Sequence, residues 1–137
     1  EDRGAKRLDI WITYLSQWKD YWLFGVGMRR SSSVLIDTDI YWSSVTTHNT
    51  YLEVLVEYGA LIFIVYLGFL KEMFYNLRVK YKKTKAIGNK IITGLLISFL
   101  VQSFFMNTFG QRVTWIIFAL CISQIVLSNR KVLGGGK

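Results

Sequence analysis

The run Thr47-His48-Asn49-Thr50-Tyr51-Leu52 sets the chain's single histidine where a polar stretch gives way to a long apolar one. Imidazole is the side chain whose ordinary pKa lies nearest neutrality, so a histidine at such a boundary is a candidate proton acceptor. By position alone His48 also fits a plainer role, capping or solvating the start of a helix. Other chemistry is thinly represented. The one cysteine, Cys121, sits inside an apolar run and reads as a small buried hydrophobe. No zinc or iron-sulfur spacing is present. Gly25-Val26-Gly27 is too short a glycine signal to read as a nucleotide loop.

The elements that must position His48 are read from hydropathy and charge. Of the 137 residues, 52% are hydrophobic and 16% aromatic, with no proline, and long uncharged apolar runs point to a membrane protein. Three such runs predict transmembrane helices at about 58–77, 91–109 and 113–128, the last of them short. Lys71 and Glu72 fall late in the first, where they can snorkel or pair near the interface. Gln102, Ser103 and Asn107 are the polar members of the second, and Gly110-Gln111-Arg112 is left as a tight turn before the third.

Net charge is +8, which would suit nucleic acid, but its distribution argues for a membrane. Residues 1–57 carry six Lys/Arg against eight Asp/Glu, while residues 58–137 carry eleven Lys/Arg against Glu72 alone. Arg78, Lys80, Lys82, Lys83, Lys85 and Lys90 crowd one stretch between two apolar runs, as a cytoplasmic loop does, and such a loop also suits anionic lipid head groups. That orientation makes residues 1–57 extracytoplasmic and brings the third span back inside, where Arg130 and Lys131 lie. No nucleic-acid motif accompanies the charge.

Upstream, Leu8, Trp11, Leu15, Trp18 and Trp22 recur at helical spacing. They predict an amphipathic helix over 8–23 that lies on or near the outer membrane surface, where indole prefers the head-group layer. A core-facing stripe of a water-soluble helix has the same spacing. Gly25 and Gly27 end the helix, and residues 28–47 read as a polar, irregular loop. The polar start, Glu1 to Arg7, lacks a signal-peptide pattern and reads as the middle of a longer chain. The expected architecture is therefore all-α: a fragment of a larger polytopic membrane protein, an extracytoplasmic loop over 1–57, then three transmembrane helices over 58–137.

Taken in order, these residues resemble the O-antigen ligase and O-antigen polymerase family of membrane glycosyltransferases. Arg7 and Trp11 match its arginine followed four residues later by tryptophan. Phe24-Gly25-Val26-Gly27 matches its Phe-Gly-x-Gly, His48-Asn49-Thr50-Tyr51-Leu52 its His-Asn-x-Tyr-Leu, and Glu57-Tyr58-Gly59 its Glu-x-Gly entering a membrane helix. The match covers about residues 4–70; Ala5-Lys6 stands where a Ser-Gly pair is common, and the variable loop is short.

The resemblance implies a C-terminal fragment of an enzyme that transfers or polymerises glycan units from a polyprenyl-diphosphate carrier to an acceptor sugar hydroxyl, on the outer face of the bacterial cytoplasmic membrane, with no cofactor. One histidine and dispersed carboxylates make a poor cation cage, so no metal is expected. His48 would take the acceptor proton. Arg7 would hold the departing diphosphate, since a guanidinium is always charged and contacts two oxygens at once. Arg29, Arg30 and Arg112 are further candidates for the phosphates. Asn49 or Glu57 would fix the imidazole tautomer or hold the acceptor. Glu57 invites pairing with a loop arginine, or serves as a carboxylate favoured by a helix N-terminus. The implied partners are the lipid-linked donor, a glycan or lipid-linked acceptor and membrane lipids. The competing readings are a transporter or channel component, with His48, Gln102, Ser103 and Asn107 along a path, and a non-catalytic membrane anchor.

Overall fold

The computed structural model describes residues 3–31, 47–85 and 87–134, with the side chains of 3–6, 80, 83, 84 and 128–134 excepted. The loop carboxylates Asp37 and Asp39 thus lie outside the described residues, as do the side chains of Lys80, Lys83, Arg130 and Lys131. Every element among the described residues is helical: α1 (Arg3–Gln17), a 3-10 turn (Trp18–Asp20), α2 (Thr50–Thr84), α3 (Ile87–Gln102) and α4 (Arg112–Gly134).

The chain divides into two compact units. One comprises residues 1–66 with 103–109, the other 67–102 with 110–137. In the second unit α3 and α4 pack through Leu96, Phe99, Ile117, Phe118 and Cys121. Edge-to-face rings join Phe99 to Phe118 at 5.5 Å and Phe69 to Phe118 at 5.2 Å. A buried polar contact, Gln124 Nε2 donating to Asn89 Oδ1 at 2.8 Å, pins one helix to the other. The outward surface is as apolar as the inner one: Ile91, Ile97 and Val101 on α3 and Val113, Ile116 and Ile122 on α4 are exposed. Helices apolar all round are suited to lipid rather than water.

Thr50–Val79 is long and apolar enough to cross a membrane, its most apolar 18-residue stretch reaching a mean hydropathy of 1.9. Ile87–Gln102 and Arg112–Leu127 are shorter apolar segments of 10–17 residues. The 16 residues of α3 give a rise of about 24 Å against a hydrocarbon core of about 30 Å. The expected second span over 91–109 is therefore corrected. Helix stops at Gln102, and residues 103–109 leave it to join the first unit. The apolar composition of Phe104, Phe105, Met106 and Phe109 conceals this. Ser103, Asn107 and Thr108 offer hydrogen bonds that compete with helix, and those bonds are taken.

In the first unit α1 begins before and ends earlier than the 8–23 expected. The 3-10 turn tightens the chain after Gln17, so Trp18 and Trp22 no longer continue the helical face. The side of α1 that packs carries Ile10, Trp11 and Tyr14, against Leu52 and Val56 of α2. Burial, foremost, pushes the Tyr14 phenol up to about 12 and keeps it neutral. Of the expected stripe, Leu8, Leu15 and Trp22 are exposed, while Trp11 and Trp18 are half-buried.

Gly59 breaks α2, with φ 77° and ψ 176°, into two helical stretches. A break strands backbone groups, and these must find partners. The Trp22–Gly27 segment supplies them. The Ala60 N–H donates to Trp22 O at 2.7 Å, while Val56 O and Glu57 O accept the N–H groups of Val26 and Gly27, each at 3.0 Å. The contact is closest at two glycines. A Cβ on Gly25 would land on the Glu57 carbonyl and 2.6 Å from Tyr58 N; a Cβ on Gly59 would land on the Leu23 carbonyl and 2.6 Å from Phe24 N. Both also hold positive φ.

Replacing either glycine with alanine is expected to cost well over the ~1–3 kcal/mol of the backbone conformation alone, because main-chain atoms cannot give way. Gly68 and Gly94 sit in helices with nothing within 4 Å of an added Cβ. There the same change is expected to be neutral or to stabilise by up to about 1 kcal/mol. Thermal melts in detergent of Gly25→Ala and Gly59→Ala against Gly68→Ala and Gly94→Ala check this ordering.

Candidate functional site

The segment holding His48 is fastened from three directions. From α1, Trp11 Nε1 donates to Thr47 O at 2.8 Å. From the 103–109 segment, Asn107 Oδ1 accepts the Asn49 N–H at 2.8 Å and the Thr47 hydroxyl at 2.9 Å. From α2 itself, Asn49 Oδ1 caps the helix by accepting the N–H groups of Tyr51 at 3.0 Å and Leu52 at 3.1 Å. Thr50 completes the join. Its N–H donates to Ser103 O, and its hydroxyl donates to Met106 O while accepting the Thr108 N–H.

Thr47, Asn49 and Thr50 are buried, and His48 between them is exposed. Its φ of 47° is left-handed, a conformation uncommon for non-glycine residues and one that the surroundings must enforce. The imidazole is thus presented outward from a rigid base.

The bonds to Asn49 and Ser103 also satisfy the amides at the start of α2. A helix N-terminus commonly binds an anion through such amides. Here they are spent on the protein, so an anionic substrate must be met by side chains. Arg7 is exposed on α1, one turn before Trp11 and on the same side of the helix. Because Trp11 is bonded to the carbonyl just ahead of His48, α1 carries a guanidinium on the turn next to that anchor.

Glu57 is buried, and both carboxylate oxygens are engaged: Oε2 accepts the Arg29 N–H and Oε1 the Ser31 hydroxyl, each at 2.9 Å. The expected pairing with a loop arginine takes the form of a bond to the arginine backbone. It fixes Arg29 at φ 59° and leaves its side chain exposed beside that of Arg30. Asn49 likewise spends its carboxamide oxygen on the helix cap. Arg112 opens α4 in the second unit, exposed. The structure thus brings His48, Asn49, Glu57, Arg7, Arg29 and Arg30 into one unit.

Sequence reasoning missed Thr47, Thr50 and Thr108 as fasteners and saw Asn107 only as a polar member of a span. The available signal was the density of Ser, Thr and Asn at 47–50 and 103–108, residue types that bond locally to backbone.

Glu57→Gln removes the charge: the amide oxygen can still accept the Arg29 N–H and the amide N–H can donate to the Ser31 hydroxyl, but both bonds lose their charge assistance. The expected cost is ~1–3 kcal/mol, with residues 28–31 loosened. Trypsin, which cuts after arginine, is expected to cleave at Arg29 and Arg30 faster in this variant than in the parent, read by mass spectrometry.

Residues 1–67 match the family model described as O-Antigen ligase. No curated protein and no solved structure matches the chain. The matched stretch ends one residue beyond the part of α2 that belongs to the first unit, and it contains the glycine interlock, the Glu57 clamp and His48. Residues 1–67 are thus similar to the O-antigen ligase family, in the unit that holds His48 and Glu57.

Proposed function

We propose that the chain is part of an integral membrane glycosyltransferase. It transfers or polymerises polyprenyl-diphosphate-linked glycan units on the outer face of the bacterial cytoplasmic membrane. The carrying observation is His48: an exposed imidazole in a left-handed conformation, between two buried and hydrogen-bonded neighbours. Strain enforced by buried polar contacts around one exposed titratable group is characteristic of a site that does chemistry.

In this reading the acceptor hydroxyl attacks the anomeric carbon as its proton passes to the neutral His48 ring. The bond from that carbon to the diphosphate oxygen breaks, and the lipid diphosphate leaves with the bonding pair. A positioned base of this kind contributes typically ~10²–10⁴ in rate. Arg7 stabilises the charge gathering on the leaving group, with Arg29 and Arg30 as auxiliary cations on the loop that Glu57 secures. Positive charge supplied by guanidinium makes a metal unnecessary to the scheme. Asn49 serves the imidazole by holding its turn.

The membrane region in this proposal comprises α2 beyond Gly59, α3 and α4. The basic stretch 78–90 faces the cytoplasm and residues 1–57 face outward. The exposed apolar faces of α3 and α4 support a lipid environment, and the 16-residue length of α3 calls for local bilayer thinning around it.

His48→Ala in the intact membrane-embedded protein is expected to lower glycan transfer by at least ~10²-fold without affecting insertion. A ladder of glycan products like that of the parent removes His48 from the mechanism. Arg7→Lys is expected to weaken binding of the lipid-diphosphate donor, because a point charge cannot make the two-pronged contact. Unchanged donor affinity in a direct binding measurement contradicts the role given to Arg7.

A further inference from the structure

Asn107 lies outside the residues matched by the family model, yet it bonds to both neighbours of His48. A backbone N–H can only donate, so the Asn107 atom 2.8 Å from Asn49 N is the carboxamide oxygen. The same oxygen lies 2.9 Å from Thr47 Oγ1, a shorter contact than the 3.1 Å from that hydroxyl to Asn49 O. One acceptor therefore spans the residue before and the residue after His48. A chain gripped on both sides in this way has little freedom at the intervening φ and ψ, which accounts for a left-handed backbone at a residue with a bulky side chain.

The 103–109 segment that carries Asn107 is itself anchored. Thr108 Oγ1 lies 2.9 Å from the hydroxyls of Thr50 and Ser103. Phe104 packs at a tilt against Tyr51 at 5.6 Å, and Phe109 packs edge-on against Tyr58 and Tyr66 at 5.5 Å each. The oxygen is thus held in place by a packed support.

We propose that Asn107 is a positioning residue for the transfer reaction: its carboxamide oxygen, bonded to Thr47 and Asn49, sets the direction in which the His48 imidazole meets the acceptor hydroxyl. The proposal rests on the reading of His48 as the base. It adds a determinant from a segment that the sequence assigned to a membrane helix.

The test compares Asn107→Ala, which loses both bonds, with Asn107→Asp, which keeps an acceptor oxygen, in the intact protein in membranes. Asn107→Ala is expected to lower kcat by about 10²-fold, the scale of a misplaced catalytic group, with the KM for lipid-linked donor unchanged. Asn107→Asp is expected to restore most of that kcat. Diethyl pyrocarbonate labelling of His48, followed by mass spectrometry, is expected to change in rate in Asn107→Ala and to return toward the parent rate in Asn107→Asp.

Where Asn107→Ala does not accumulate in the membrane, Thr47→Val serves instead. It removes one of the two bonds at nearly constant shape, and a fall in its kcat at constant KM supports the assignment. Parent-like kcat in Asn107→Ala, a defect confined to KM, equal losses in the alanine and aspartate variants, or parent-like kcat in a substituted Thr47→Val overturns it. His48→Ala is assayed alongside. Full transfer by that variant defeats the reading of His48 as base, whereas the labelling rates still report whether Asn107 orients the ring.

Discussion

The structure of the first unit depends on the contact between two stretches of main chain that approach too closely for any side chain to intervene. Gly25 and Gly59 face each other's strands of backbone, each at positive φ. The break that Gly59 puts in α2 is what frees the groups that the Trp22–Gly27 segment then bonds. Neither half makes sense alone: a broken helix leaves amides and carbonyls unsatisfied, and a glycine-rich turn has no reason to lie flat. Together they fix where α2 starts relative to the turn after α1. Tyr14, Leu52 and Val56 fill the space that this leaves. His48 and the Glu57 clamp are both placed within two or three turns of that contact.

The motifs themselves were legible in the sequence; their relation was not. Phe24-Gly25-Val26-Gly27, His48-Asn49 and Glu57-Tyr58-Gly59 could be recognised in order, but nothing in spacing says that the first and last bond to each other. Glu57 illustrates the limit. A carboxylate entering an apolar helix calls for a partner, and that much was foreseeable. Whether it takes a guanidinium or a backbone amide depends on the turn at Arg29, which is a tertiary matter. In α1 the spacing of Leu8, Trp11, Leu15 and Trp18 fitted a helical stripe well. The packed side is nevertheless displaced to Ile10, Trp11 and Tyr14, because periodicity identifies a helix more readily than it chooses between adjacent faces. At 103–109 hydropathy was misleading outright: a window rich in phenylalanine passes for membrane helix, while three short polar side chains decide the backbone.

The start of α2 carries a functional implication through what it withholds. Loop-to-helix junctions often serve as phosphate sites because their amides point outward, unpaired. Here Asn49 and Ser103 have claimed them. In the function proposed above, charge recognition is thereby shifted onto long arginine side chains at exposed positions. Such a site would separate two tasks. Rigid main chain would fix the imidazole, and the arginines would follow a diphosphate whose position shifts as it departs.

The stretch 32–46 begins just after Ser31, tied to Glu57, and ends just before Thr47, tied to Trp11 and Asn107. Both of its mooring points belong to the same unit. Lengthening a tether whose ends are already fixed is inexpensive: a doubling costs only about 0.6 kcal/mol in closure entropy. Insertions, deletions and exchanges between those two fixed ends therefore carry little entropic penalty for the unit that holds them. If the chain acts as proposed above, this interval is a natural cassette for a protein engineer seeking altered acceptor choice.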